Sequence, residues 1–216
     1  MATVTQDSAT ILRLRTGIGA VGIALPFVLT IGNALQVGEP VLLTSISGAY
    51  YTGMRDVFVG SMCAIGVFLI FYRYQRADDI LGTIAGLAAI VLALFPTKPG
   101  VDSLLMGISD SPKGITHGIA SAVLFLSMAI FCFFLFPRSA TPGALTPRKK
   151  ARNVTYVVCG ILIILGLGVA ALGSQLLPAT AVDTVRPFFW GEAVAVVSFG
   201  VAWLAKSNTI LRDVES

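Results

Sequence analysis

Residues 116–136 read THGIASAVLFLSMAIFCFFLF, a stretch without a formal charge. An α-helix of that length and apolarity covers the ~30 Å hydrocarbon core of a bilayer. Comparable runs lie at about 17–37, 57–72, 80–96, 154–174 and 188–205. A transmembrane barrel strand would be ~10 residues of strict alternation, which these runs lack. Backbone groups in lipid must pair within their own segment, so the runs are helices. The expected fold is all-α: a polytopic membrane protein, a six-transmembrane-helix bundle forming a single domain over 1–216.

Composition leads to the same class. Of 216 residues, 56% are hydrophobic and 12% charged, against about 25% charged in an ordinary soluble domain. Such a chain cannot cover a water-facing surface and is solvated by lipid. The net charge of +4 is spread over short loops rather than one basic face, so nucleic acid is not an expected partner. Topology explains the charges instead. With the N-terminus inside, Arg13, Arg15, Arg73, Arg76, Arg138, Arg148, Lys149, Lys150, Arg152, Lys206 and Arg212 fall on the inner side. The outer segments keep Arg55, Lys98, Lys113 and Arg186, beside Glu39, Asp56, Asp102, Asp110, Asp183 and Glu192. Lys and Arg accumulate on the cytoplasmic side of membrane proteins, so both termini are expected there, in a cell (plasma or inner) membrane. The first span also reads as a cleavable signal peptide with Gly32-Asn33-Ala34 as the cut site; its run to Val37 exceeds a usual apolar core and favours a retained helix.

Small residues recur at helix-packing spacing: Gly82 and Gly86, Gly118 and Ala122, Gly191 and Ala195. In lipid such positions let backbones approach, within one chain or between copies in a homo-oligomer. Residues 137–153 form a proline-containing polar linker with a basic cluster, a topology anchor that can also touch anionic lipid. Cys63, Cys132 and Cys159 each fall inside a span with no CxxC neighbour, which argues against a disulfide or a cysteine metal site.

No HExxH, Walker loop, GxSxG or dinucleotide fingerprint occurs, and the single histidine cannot build a His-rich zinc site. No metal and no cofactor are expected. A polar set remains that topology gathers at the outer level. The loop from Gly38 to Asp56 carries Ser45, Ser47, Arg55 and Asp56, His117 opens the fourth helix, and Glu192 lies about one turn into the sixth. Each has a bland reading: Asp56 a helix-dipole partner, Arg55 an interfacial anchor, His117 a cap. Glu192 sits among Phe188, Phe189, Trp190 and Ala193, where a carboxylate costs ~2 kcal/mol or more unless paired or near water. It therefore needs a partner, Arg55 or Arg186, or a function.

The stretch Thr44-Ser45-Ile46-Ser47-Gly48-Ala49 with Arg55-Asp56, His117 at the fourth helix and Trp190-Gly191-Glu192 at the sixth resembles the Frag/DRAM/Sfk superfamily. That group includes an autophagy modulator and a GPI-anchor lipid-remodelling factor. The compact loops are closer to bacterial six-helix proteins similar to this group. The resemblance implies six helices with both termini inside, an outer pocket and a loose association with lipids. It implies no reaction.

Three functions compete. In the first, Ser45, Ser47, Arg55, Asp56, His117 and Glu192 line an outer pocket for a lipid headgroup or another small polar ligand, making membrane lipids the partners. In the second, a lipid-modifying enzyme uses His117 as general base, with Glu192 or Asp56 orienting it. The third, a small-solute or proton-coupled transporter, lacks the buried ionisable chain and broken helices such proteins use.

Overall fold

Two helix starts in this chain are set by side-chain caps that lie outside the apolar runs. The computed structural model describes residues 2–105, 111–138 and 146–211, with the side chains of residues 2–8 and 179 left aside. Asp110 and Arg212, counted above among the loop charges, and residues 139–145 of the linker lie outside the described residues. The elements are α1 (Ala2–Val37), a 3₁₀ turn (Ser47–Tyr51), α2 (Arg55–Phe71), α3 (Arg76–Leu94), α4 (Pro112–Ile130) prolonged by a π-helical turn (Phe131–Leu135), α5 (Pro147–Leu176), α6 (Ala179–Val185) and α7 (Pro187–Lys206).

Ser111 caps α4, its Oγ accepting the Gly114 N–H at 3.1 Å, and Pro112 follows at the first helical position. Thr146 and Pro147 repeat the device on α5, where Thr146 Oγ1 accepts the Lys149 N–H at 3.1 Å. A side-chain acceptor satisfies an otherwise orphan amide, and proline loses nothing where its N–H has no partner. Both helices thus begin earlier than hydropathy alone indicates. Lys149, Lys150 and Arg152, expected in a linker, lie in the first turns of α5. The expected helices at 17–37, 57–72, 80–96, 116–136, 154–174 and 188–205 all exist, most of them longer.

Among the described residues, five helical stretches are long and apolar enough to cross a membrane: Ala9–Val37, Arg76–Leu94, Pro112–Leu135, Pro147–Leu176 and Thr180–Lys206. α2, at 17 residues, is shorter and equally apolar. The protein is all-α and built as a membrane protein. Each long helix packs on the next along the chain, and α7, lying against α5, also packs on α1, closing a ring. The interior is filled by side chains such as Phe58, Ile65, Leu124, Ile163, Phe199 and Trp203.

Facing glycines fix three of these contacts. A Cβ on Gly200 of α7 would come within 2.7 Å of the Gly19 carbonyl of α1. One on Gly66 of α2 would lie 2.7 Å from the Gly86 carbonyl of α3, and one on Gly191 of α7 2.5 Å from the Gly166 carbonyl of α5. Gly86 and Gly191 belong to the small-residue pairs read from the sequence; their partners Gly66 and Gly166, and the facing pair Gly19 and Gly200, do not.

The bundle has two unlike ends. At one, Arg15 donates to the Tyr72 hydroxyl at 2.9 Å and the Lys206 carbonyl at 3.2 Å, and Lys206 Nζ donates to the Phe136 carbonyl at 3.1 Å. Asp78, 1% exposed, faces Arg138 there at 3.7 Å. The other end, where α1 stops and α2 begins, gathers the polar loop residues.

Candidate functional site

α1 ends at Gly38, whose φ of 82° is open to glycine and lets its N–H reach back to the Ala34 carbonyl at 2.9 Å. The chain then crosses the end of the bundle and tightens into the 3₁₀ turn. A helical turn begins with amides that have no partner of their own, and here three successive ones take side-chain acceptors. Glu192 Oε2 accepts from Ile46 N–H at 2.5 Å and from Ser47 N–H at 3.4 Å. Ser45 Oγ accepts from Gly48 N–H at 2.8 Å. The second oxygen of Glu192 accepts the Ser47 hydroxyl at 3.2 Å, and Ser45 and Ser47 hydroxyls lie 3.3 Å apart. Glu192 is 7% exposed. Its carboxylate is the internal anion of the loop's own cradle of amides, stabilised by three donors in place of water.

This corrects the expected partner of Glu192: it pairs with neither Arg55 nor Arg186 but with main-chain amides. Arg55 instead stacks on the Tyr50 ring at 4.3 Å and donates to the Tyr50 hydroxyl at 2.7 Å. Asp56 is exposed in the first turn of α2 and, with Arg55, lines a separate shallow recess floored by Gly60.

His117 lies in the second turn of α4 and is 1% exposed. Its Nδ1 is 2.9 Å from the Phe95 carbonyl and 3.2 Å from the Leu92 carbonyl. Carbonyls only accept, so Nδ1 carries the proton and Nε2 the lone pair. These two carbonyls close the C-terminus of α3, where intrahelical donors run out. His117 is therefore the cap of α3, and its Nε2 is enclosed with no hydrogen-bond partner among the described residues. The six expected residues share one end of the bundle but separate into three environments. Glu192 with Ser45 and Ser47, Arg55 with Asp56, and His117 do not form a single constellation.

What the locked loop does form is a recess of about 260 Å³ between it, the end of α1, the connection after α3 and the start of α7. Its polar lining includes Asn33, Thr44, Ser45, Thr97, Lys98 and Arg186, and no carboxylate among the described residues. Asn33 is 6% exposed and makes no hydrogen bond among the described residues, leaving its carboxamide to the recess. Arg186 holds a left-handed backbone, φ 52°, directly before Pro187, and its guanidinium meets Asp183 at 2.9 Å. The Tyr51 hydroxyl donates to the Thr97 carbonyl, tying the loop to the far wall. Of the expected ligand residues only Ser45 lines this recess. A carboxamide inside an apolar run is the signal that marks Asn33 in the sequence. Nothing local marks Lys98 or Arg186, because the fold alone brings them together.

Comparison of the chain with known protein families, with curated proteins and with solved structures finds no match.

Proposed function

We propose that the protein is a lipid-associated integral membrane protein that crosses the bilayer six times with both termini cytoplasmic. Its preformed polar recess, at the outer membrane face, holds a lipid headgroup or a similar small polar ligand. The orientation follows from the basic end, where Arg13, Arg15, Arg73, Arg76, Arg138 and Arg148 to Arg152 collect. The resemblance to the Frag/DRAM/Sfk superfamily carries the same topology and the same loose link to lipids.

The observation that carries the binding reading is the recess itself: a hollow lined by polar and basic side chains, with the buried Asn33 among them. Both oxygens of Glu192 are committed to the protein's own groups, and the Nε2 lone pair of His117, the atom a general base would use, is enclosed. That commitment favours binding over the enzymatic alternative, which needs those atoms for a substrate.

Native mass spectrometry after extraction in mild detergent tests the reading. Wild type is expected to carry lipid, Asn33→Leu to carry less, and Arg55→Ala, outside the recess, to carry as much as wild type. A lipid-free wild type would overturn it. The topology is read by a membrane-impermeant maleimide on intact cells: Lys98→Cys should react and a cysteine in place of Arg148 should not, and the reverse pattern would invert the proposal.

A further inference from the structure

Directly below the recess, the outer surface of α7 carries a groove of about 480 Å³ between α1 and α5. Its walls are almost wholly apolar: Pro26, Phe27 and Ile31 of α1, Leu162 of α5, and Phe189, Trp190, Ala193, Val194 and Val197 of α7. Leu42 lines both the groove and the recess, forming a sill between them. Two helices carry the same gradient across that sill. On α1 the order inward is Asn33, Thr30, Pro26. On α7 it is Arg186, Trp190, Ala193, Val197. At 1.5 Å of rise per residue, polar groups give way to apolar ones within roughly 10 Å on α1.

Thr30 adds an independent observation. Thr30 lines the groove, and its hydroxyl is enclosed with no hydrogen-bond partner among the described residues. A helical threonine ordinarily bonds the carbonyl one turn back, as Thr16 does with Leu12 at 2.9 Å, so an unpartnered one is a spare donor in an apolar wall. One turn above it stands the Asn33 amide, also without a partner.

We propose that the recess and the groove together bind one anionic phospholipid. The phosphate sits in the recess between Lys98 and Arg186, where it shares the guanidinium fork of Arg186 with Asp183 and meets Lys98 as a point charge. Asn33 meets the polar glycerol region. An acyl chain passes over Leu42 and lies along Ala193 and Val197. This rests on the lipid reading above and narrows it to a headgroup charge and a chain path. Lys98 and Arg186 outnumber Asp183, which pairs with Arg186 at 2.9 Å, so the site favours a net-negative headgroup over a zwitterionic one.

The test is thermal unfolding of the purified full-length protein in detergent, with phosphatidylglycerol, phosphatidylcholine, glycerol 3-phosphate or inorganic phosphate added, and native mass spectrometry of retained lipid in parallel. A ligand that binds only the folded state raises the melting temperature. Phosphatidylglycerol should raise it and phosphatidylcholine should not. The variant Lys98→Gln with Arg186→Asn should weaken phosphatidylglycerol about tenfold or more; asparagine tolerates the left-handed backbone, so folding is preserved. Leu42→Trp and Ala193→Phe should abolish the effect of phosphatidylglycerol by closing the chain path. Stabilisation by inorganic phosphate or glycerol 3-phosphate that survives Leu42→Trp would overturn the lipid assignment in favour of a soluble anion. Equal retention of both lipids, unchanged in all variants, would overturn this site while leaving lipid association standing. A wild type that retains no lipid would remove the broader reading as well.

Discussion

Glu192→Ala removes the acceptor for the Ile46 and Ser47 amides and the Ser47 hydroxyl. Buried donors left without a partner cost about 1–3 kcal/mol each at most sites, so unfolding in detergent should come several degrees earlier. Glu192→Gln keeps one carbonyl oxygen and should lose less than half as much. Equal melting of Glu192→Ala and wild type would show that the cradle does not hold the loop. The sequence makes clear that this carboxylate, set among Phe188, Phe189 and Trp190, needs a partner. It suggests a cation, because charges are visible along a chain and free amides are not. The amides that satisfy Glu192 become available only when residues 46–48 turn, more than a hundred positions away. His117 follows the same logic. An imidazole at the start of an apolar run invites catalysis, yet its partners are the Leu92 and Phe95 carbonyls that α3 leaves open where it ends.

At the scale of elements, the facing glycines decide how closely helices approach. Gly200→Leu would drive a side chain into the Gly19 carbonyl and Ile23. Backbone cannot yield as a rotamer can, so about 3 kcal/mol or more should be lost, read as a lower melting temperature. Gly168→Leu, where an added Cβ meets nothing within 4 Å, is the control and should be near neutral. Equal loss in both would mean that the close approach of Gly200 to Gly19 is not what the substitution disturbs. Apolar runs locate the helices because the lipid requirement and the helix coincide over that length. They miss the ends because Ser111-Pro112 and Thr146-Pro147 set the starts from within polar sequence. They also miss which glycine faces which, since Gly19 and Gly200 meet only once the ring closes.

At the scale of the molecule, the ring packs α7 against both α5 and α1 and thereby makes the groove on its outer surface. Arg15, from α1, bonds to Tyr72 after α2 and to Lys206 on α7, binding three segments at the basic end. At the opposite end the loop locked by Glu192 roofs the recess. Fold class and the polar end of the bundle are legible in the sequence, because both follow from hydropathy and charge. The site's composition is not, because Asn33, Lys98 and Arg186 are far apart in sequence and meet through the closure of the ring. Photo-crosslinking in membranes tests the central claim most directly: a phosphatidylglycerol with a diazirine on its acyl chain is activated on the intact protein, and labelled peptides are mapped. Adducts should concentrate on residues 26–31 and 189–198 and be lost in Leu42→Trp. Labels spread evenly over lipid-facing residues of the other helices, such as Leu87 and Leu165, would contradict it.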